Sequence, residues 1–176
     1  MPRRLPHSIP TRCTMSAPAL LLHIAAIGVG ATLVMDLWAL LRRRVFGVPS
    51  LDLALVGRWL GHMAHGRFRH TSIATAAPLR GERALGWAAH YAIGIAFAGL
   101  PVALAGPHWV DTPTLAPALA AGLVSVAAPF LVMQPAFGFG IAASRTPQPA
   151  VARRRSLVAH LSYGVGLYLA ALALAA

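Results

Sequence analysis

The sequence predicts an all-α fold, a bundle of four transmembrane helices with an amphipathic interfacial helix in the first cytoplasmic loop, on three observations. The first is composition: 57% of the 176 residues are hydrophobic and 11% are charged, whereas about a quarter of a soluble domain's residues are charged. The second is a set of four apolar stretches, each near the ~20 residues a helix needs to cross ~30 Å of hydrocarbon. The third is the placement of charge. All 15 basic residues are arginine, against four acids, Asp36, Asp52, Glu82 and Asp111, and the arginines gather in the connections between apolar stretches. The same distribution argues against nucleic acid as a partner, because no basic helix or aromatic-basic motif accompanies the formal +11. A single cysteine, Cys13, rules out an internal disulfide framework and a cysteine-rich metal knuckle.

Residues 1–17 read as a disordered N-terminal extension, since MPRRLPHSIPTRCT carries three prolines and three arginines without periodicity, and Met15 is an alternative start. The first span runs over 18–41. It is longer than the apolar core of a signal peptide and ends in Arg42, Arg43 and Arg44 rather than in a cleavage site. In the following connection Ser50 is the expected N-cap of a helix with Asp52 in its first turn. Leu51, Leu55, Val56, Trp59, Leu60 and Met63 recur at helical spacing, while Arg58, His62 and His65 take the other face, the pattern of a helix lying in the membrane interface. The basic, irregular GRFRHTSIATAAPLRGER after it suits anionic lipid head groups. The second span is 84–105. The third is 115–134, with Pro135 either ending it, kinking it or letting GFGIAAS continue it to 142. The fourth is 157–175.

Orientation follows from the arginines. Eight lie between spans one and two and four between spans three and four, while the Gly106–Thr114 connection has none. Both arginine-rich loops are therefore expected in the cytoplasm, with both termini outside.

Within the spans, every-fourth-residue stripes join polar residues to small ones: Gly28, Thr32, Asp36; Gly86, His90, Gly94, Ala98; Ala118, Gly122, Val126, Phe130, Gln134; and Ser156, His160, Gly164. Small residues let helices approach closely, so these faces point inward. A carboxylate at membrane depth costs at least a few kcal/mol and must face helices, water or a partner. With ~1.5 Å rise per residue, Asp36, His90, His160 and Gln134 all fall within roughly 10 Å of the cytoplasmic face. They form the candidate functional cluster.

Three roles fit it. One is structural, a set of interhelical hydrogen bonds that fixes register. Another is a metal or haem site, in which the imidazoles and a carboxylate hold a divalent metal or His90 and His160 are the axial ligands of a haem, and His62, His65 and His70 on the adjoining loop contribute. The third is a proton path, since Asp and His titrate in a useful range. No serine or cysteine nucleophile stands at a recognisable spacing from a histidine, so the residues lean away from an enzyme and predict no specific cofactor. The small-residue stripes also suit a homodimer or a larger membrane partner.

The strings GATLVMDLWALL, GRWLGHMAHGRFRH, GERALGWAAHYAIG, APFLVMQPAFGFGIAASRTPQP and SLVAHLSYGVGLYLA resemble the bacterial domain of unknown function 2938 family of small multi-pass membrane proteins, in the same order from about Leu20 to Ala171. The resemblance implies an integral inner-membrane protein of several helices. It carries over no activity and no catalytic or ligand positions.

Overall fold

A computed structural model describes residues 15–176; most of the expected N-terminal extension, with Cys13, lies outside the described residues. Among them the chain is all-helical, with five principal helices and no strand. Helix α1, Ala17–Phe46, starts on Pro18, whose missing N–H is harmless in a first turn. It runs beyond Leu41 through the arginine triplet and stops at Gly47, where φ is +62° and the chain turns back so that the Val48 N–H meets Arg42 O at 3.3 Å.

Helix α2, Leu53–Met63, is capped by Asp52, whose Oδ1 accepts the Ala54 N–H at 3.0 Å. The expected cap, Ser50, lies outside the helix. A carboxylate at this position adds its charge to the favourable end of the helix dipole, which a hydroxyl does not. Helix α3, Glu82–Ala105, bends at Ala98–Gly99, ahead of Pro101. Helix α4, Leu115–Ala136, contains a wide turn at Ala128–Met133 in which the Gln134 N–H reaches back five residues to Pro129 O. It ends at Ala136, and Gly138 and Gly140 follow with φ of +90° and +74°. The third span therefore does not continue to 142: two left-handed glycines break it. Helix α5, Pro149–Ala175, begins well before Leu157 and takes Arg153, Arg154 and Arg155 into its first turns.

Four of these helices, α1, α3, α4 and α5, are long and apolar enough to cross a membrane, which is compatible with a multi-pass membrane protein. Their outward surfaces carry Leu21, Leu22, Leu37, Leu131 and Val132 in exposed positions, as lipid-facing helices do. Inside, α1 packs against both α3 and α5, α5 against α4, and the tail of α3 against α4. The end away from the arginines is closed by a core of Ile27, Ala31, Trp109, Tyr163, Leu167 and Ala171. Trp109 is 1% exposed, and its Nε1–H donates to Thr114 O at 3.1 Å. The turn between α3 and α4 folds it back under the bundle, where its polar edge finds a carbonyl.

Glycines set the helix spacing. A Cβ on Gly28 would lie 2.6 Å from the Cα of Ile95, one on Gly122 2.6 Å from His160 O, and one on Gly166 2.7 Å from Ala31 O. Each is backbone that cannot step aside. Helix α2 uses the same device against the start of α3, because a Cβ on Gly86 would stand 1.8 Å from Leu53 O. Gly86→Ala should therefore force α2 off α3 at a cost of about 1–3 kcal/mol. Gly99→Ala, where the backbone is helical and the nearest atom is an ordinary 3.5 Å away, should be neutral or stabilising by up to about 1 kcal/mol. Thermal unfolding of the two variants in detergent, compared with the native protein, checks the contrast.

Candidate functional site

Antiparallel packing of α1 on α3 pairs the two sequence stripes turn by turn. Gly28 meets Gly94, Ile95 and Ala98, and Thr32 Oγ1 fills the space beside Gly94 while donating to Gly28 O at 2.7 Å. One turn further toward the arginines, Asp36 meets His90. The His90 Nε2–H donates to Asp36 Oδ1 at 3.0 Å, and the Tyr91 hydroxyl donates to Oδ2 at 3.2 Å. Trp87 stands edge-on to the imidazole with ring centroids 6.0 Å apart. Both carboxylate oxygens are thus satisfied, yet the site is open: 23% of the Asp36 side chain and 18% of the His90 side chain remain exposed.

His160 and Gln134 do not join this pair. His160 lies between α4 and α5, where its Nδ1 is 2.7 Å from Ser125 Oγ. The Ser125 hydroxyl gives its proton to Gly122 O at 2.7 Å, so the imidazole is the donor and carries its proton on Nδ1. Gln134 is turned inward by the wide turn of α4 and donates from Nε2 to Ser156 Oγ at 3.3 Å, leaving its Oε1 buried without a partner. The expected four-residue cluster resolves into one ionisable pair at the α1/α3 interface and two hydrogen-bonded pairs at the α4/α5 interface. Inward faces do not all meet at one axis in this bundle, because the glycine contacts draw the helices together two at a time.

Tyr91 and Ser125 escaped the sequence reading. Tyr91 is adjacent to His90 and so falls off the every-fourth-residue stripe, and Ser125 is three residues beyond Gly122 rather than four. Tyr163, also off the stripes, ties α5 to α3 by donating to Gly94 O at 2.5 Å. The spacing of three was the signal available for Ser125, since i and i+3 share a helix face as well as i and i+4.

The loop histidines are distributed differently from their sequence expectation. His62 was placed on the outward polar face of the α2 helix with Arg58 and His65; it is buried, and its Nε2–H donates to Ala77 O at 3.0 Å. Arg58 also turns inward. Its Nε and Nη2 grip Glu82 at 2.8 and 2.7 Å, and its Nη1 reaches the carbonyls of Ile73, Ala74 and Ala76. The hydrogen bond to Glu82 raises the Arg58 guanidinium above even its usual range, so this anchor of the connection stays charged. Only His65 is exposed, held to Gly61 O at 3.0 Å. His70 is buried, its ring centroid is 5.1 Å from that of His62, and neither of its nitrogens has a partner. Among the described residues, no three His, Cys, Asp or Glu side chains come together as a ligand set.

Burial, then the neighbouring His62 and Arg67, hold His70 below its ordinary pKa of 6.5. The unfolded loop takes up a proton near 6.5 and the folded loop does so only at lower pH, so stability is full above that value and declines as the pH falls below it. The connection between α2 and α3 should become more sensitive to protease as the pH drops below 6.5, and His70→Phe should flatten that dependence. Digestion rates at several pH values, read by mass spectrometry at the 64–81 cuts, test this.

Comparison with known proteins adds one finding. No curated protein and no solved structure matches the chain. A family model does, over residues 25–174, from within the first span to the end of the last, and its description is a protein of unknown function, DUF2938; the chain belongs to that family.

Proposed function

We propose that this is a small, proton-conducting multi-pass protein of the bacterial inner membrane, with the arginine-rich connections in the cytoplasm, both termini outside, and Asp36, His90 and Tyr91 as the proton-exchange site at the cytoplasmic end of the bundle. The observation that carries this reading is the contrast in access between polar groups. Ser125, whose contact with His160 joins two helices, is 1% exposed. Asp36 and His90 keep about a fifth of their side-chain surface open. A contact that served only to fix register would be sealed as Ser125 is, since a polar group in hydrocarbon is least costly when fully enclosed. An open Asp–His pair can exchange a proton with its surroundings, and the Tyr91 hydroxyl gives the second carboxylate oxygen a donor that remains when the imidazole changes partner. The arginine excess on the same side supports the orientation.

A metal- or haem-centred redox role has less support, because His90 and His160 are committed to different hydrogen bonds on different interfaces. Purified protein reconstituted into liposomes loaded with a pH-sensitive dye should dissipate an imposed pH gradient faster than protein-free vesicles. Asp36→Asn and His90→Gln should each return the rate to that of empty vesicles while inserting normally. A native protein that leaves the gradient untouched, or an Asp36→Asn variant that conducts like the native one, contradicts the proposal.

A further inference from the structure

At the arginine end, the connection after α2 and the connection after α4 are sewn together. The His70 N–H donates to Ala136 O at 2.8 Å, the Ile73 N–H to Phe137 O at 3.1 Å, and the Arg145 N–H to Phe139 O at 2.8 Å. Gly138 lets the two strands of loop touch: a Cβ there would lie 2.0 Å from Thr71 O. The seam leaves a cavity of about 350 Å³ lined by Arg69, His70, Thr71, Pro135, Gly138 and Arg145. A second hollow of about 320 Å³ shares Arg69, Pro135 and Arg145 and adds Ser144. Two guanidinium groups from connections far apart in sequence therefore wall the same space.

No carboxylate reaches them. Among the described residues Asp36 is held by His90 and Tyr91, Asp52 caps α2, and Glu82 is gripped by Arg58, while Asp111 belongs to the turn between α3 and α4 at the other end. His70, 8% exposed, backs the wall with its ring packed on His62 and both ring nitrogens enclosed. Two cations without a carboxylate on the wall of one hollow mark a place for an anion. The backbone points the same way. Ala142 and Ala143 both adopt positive φ, +47° and +59°, a conformation costly for residues with a Cβ. They are held by Arg153 Nε on Ala142 O and Thr146 Oγ1 on Ala143 O, each at 2.8 Å. Strained residues of this kind gather at ligand clamps, where the surrounding contacts over-determine them.

We propose that this cavity binds a phosphate group, with Arg69 and Arg145 as its paired ligands and Thr71 and Ser144 as supplementary partners. Arginine is suited to this because its planar fork matches two phosphate oxygens at once. The phosphate belongs either to the head group of an anionic lipid or to a free phosphate or phosphate ester, since the site stands at the arginine end of the spans, open to both. It is separate from the Asp36–His90 pair and does not depend on what that pair does.

The test uses the full-length protein in detergent. Calorimetric titration with inorganic phosphate reads the free source; native mass spectrometry of protein extracted from vesicles of equal phosphatidylglycerol and phosphatidylcholine reads the lipid source. Saturable binding in either arm is expected. It should weaken about a hundredfold in Arg69→Gln/Arg145→Gln and stay unchanged in Arg67→Gln/Arg154→Gln, which removes as much charge from two equally exposed arginines that do not line the cavity. Should the glutamine pair fail to fold, Arg69→Lys/Arg145→Lys keeps the charge and removes the forks, and weakening is again expected. The proposal is overturned by a native protein that neither binds phosphate nor retains phosphatidylglycerol over phosphatidylcholine. Equal weakening in the two glutamine pairs also overturns it, because the binding would then be a property of diffuse charge.

Discussion

The approach of one helix backbone to another at glycine is the constraint on which the rest of this molecule depends. In hydrocarbon there is no hydrophobic drive to bring apolar helices together, so association rests on van der Waals contact and on hydrogen bonds between groups that have no water to turn to. Gly28 against Ile95, Gly122 against Gly164 and Gly166 against Ala31 supply that contact. The hydrogen bonds are set beside them. Ser125 meets His160 and Tyr163 bonds Gly94 across helix pairs, each within a turn of a close approach, while Thr32 bonds Gly28 within its own helix. Spacing comes from the absent side chains, and register comes from the hydroxyls.

Chemistry follows from that register. Asp36 is one turn beyond Thr32 and His90 one turn before Gly94, so the contact that seals Thr32 also delivers the carboxylate to the imidazole. The same logic places His160 opposite Ser125. Outside the spans a different chemistry governs. There Arg58, bound at once to Glu82 and to three carbonyls, gathers the connection between α2 and α3 into a fixed cap. That cap is what brings Arg69 to the same wall as Arg145.

Much of this was legible in the sequence, and the limits have physical reasons. Four spans, the extra helix after the first, and the inward direction of the glycine-bearing stripes all follow from length, hydropathy and a period of four. What the period could not convey is which inward faces meet. Asp36, His90, Gln134 and His160 share a depth, yet only two of them touch, since the choice of partner lies in contacts between backbones that leave no pattern along one chain. The helix after the first span shows a second limit. Its polar face was read as turned to head groups because Arg58 and His62 are polar; the single glutamate of the chain, Glu82, lies across from it and turns that face inward. The end of α4 was open at Pro135 and is decided by Gly138 and Gly140, whose positive φ values are a property of tertiary packing.

The central claim is that a close glycine contact between α1 and α3 creates the Asp36–His90 pair. Solid-state NMR of the protein in bilayers, with labelled histidine and aspartate, reads this directly as a through-space correlation between His90 Nε2 and the Asp36 carboxyl carbon. The account predicts that correlation in the native protein and its loss in Gly28→Ala, with helix content unchanged. Absence of the correlation in the native protein, or its survival in Gly28→Ala, would contradict the account.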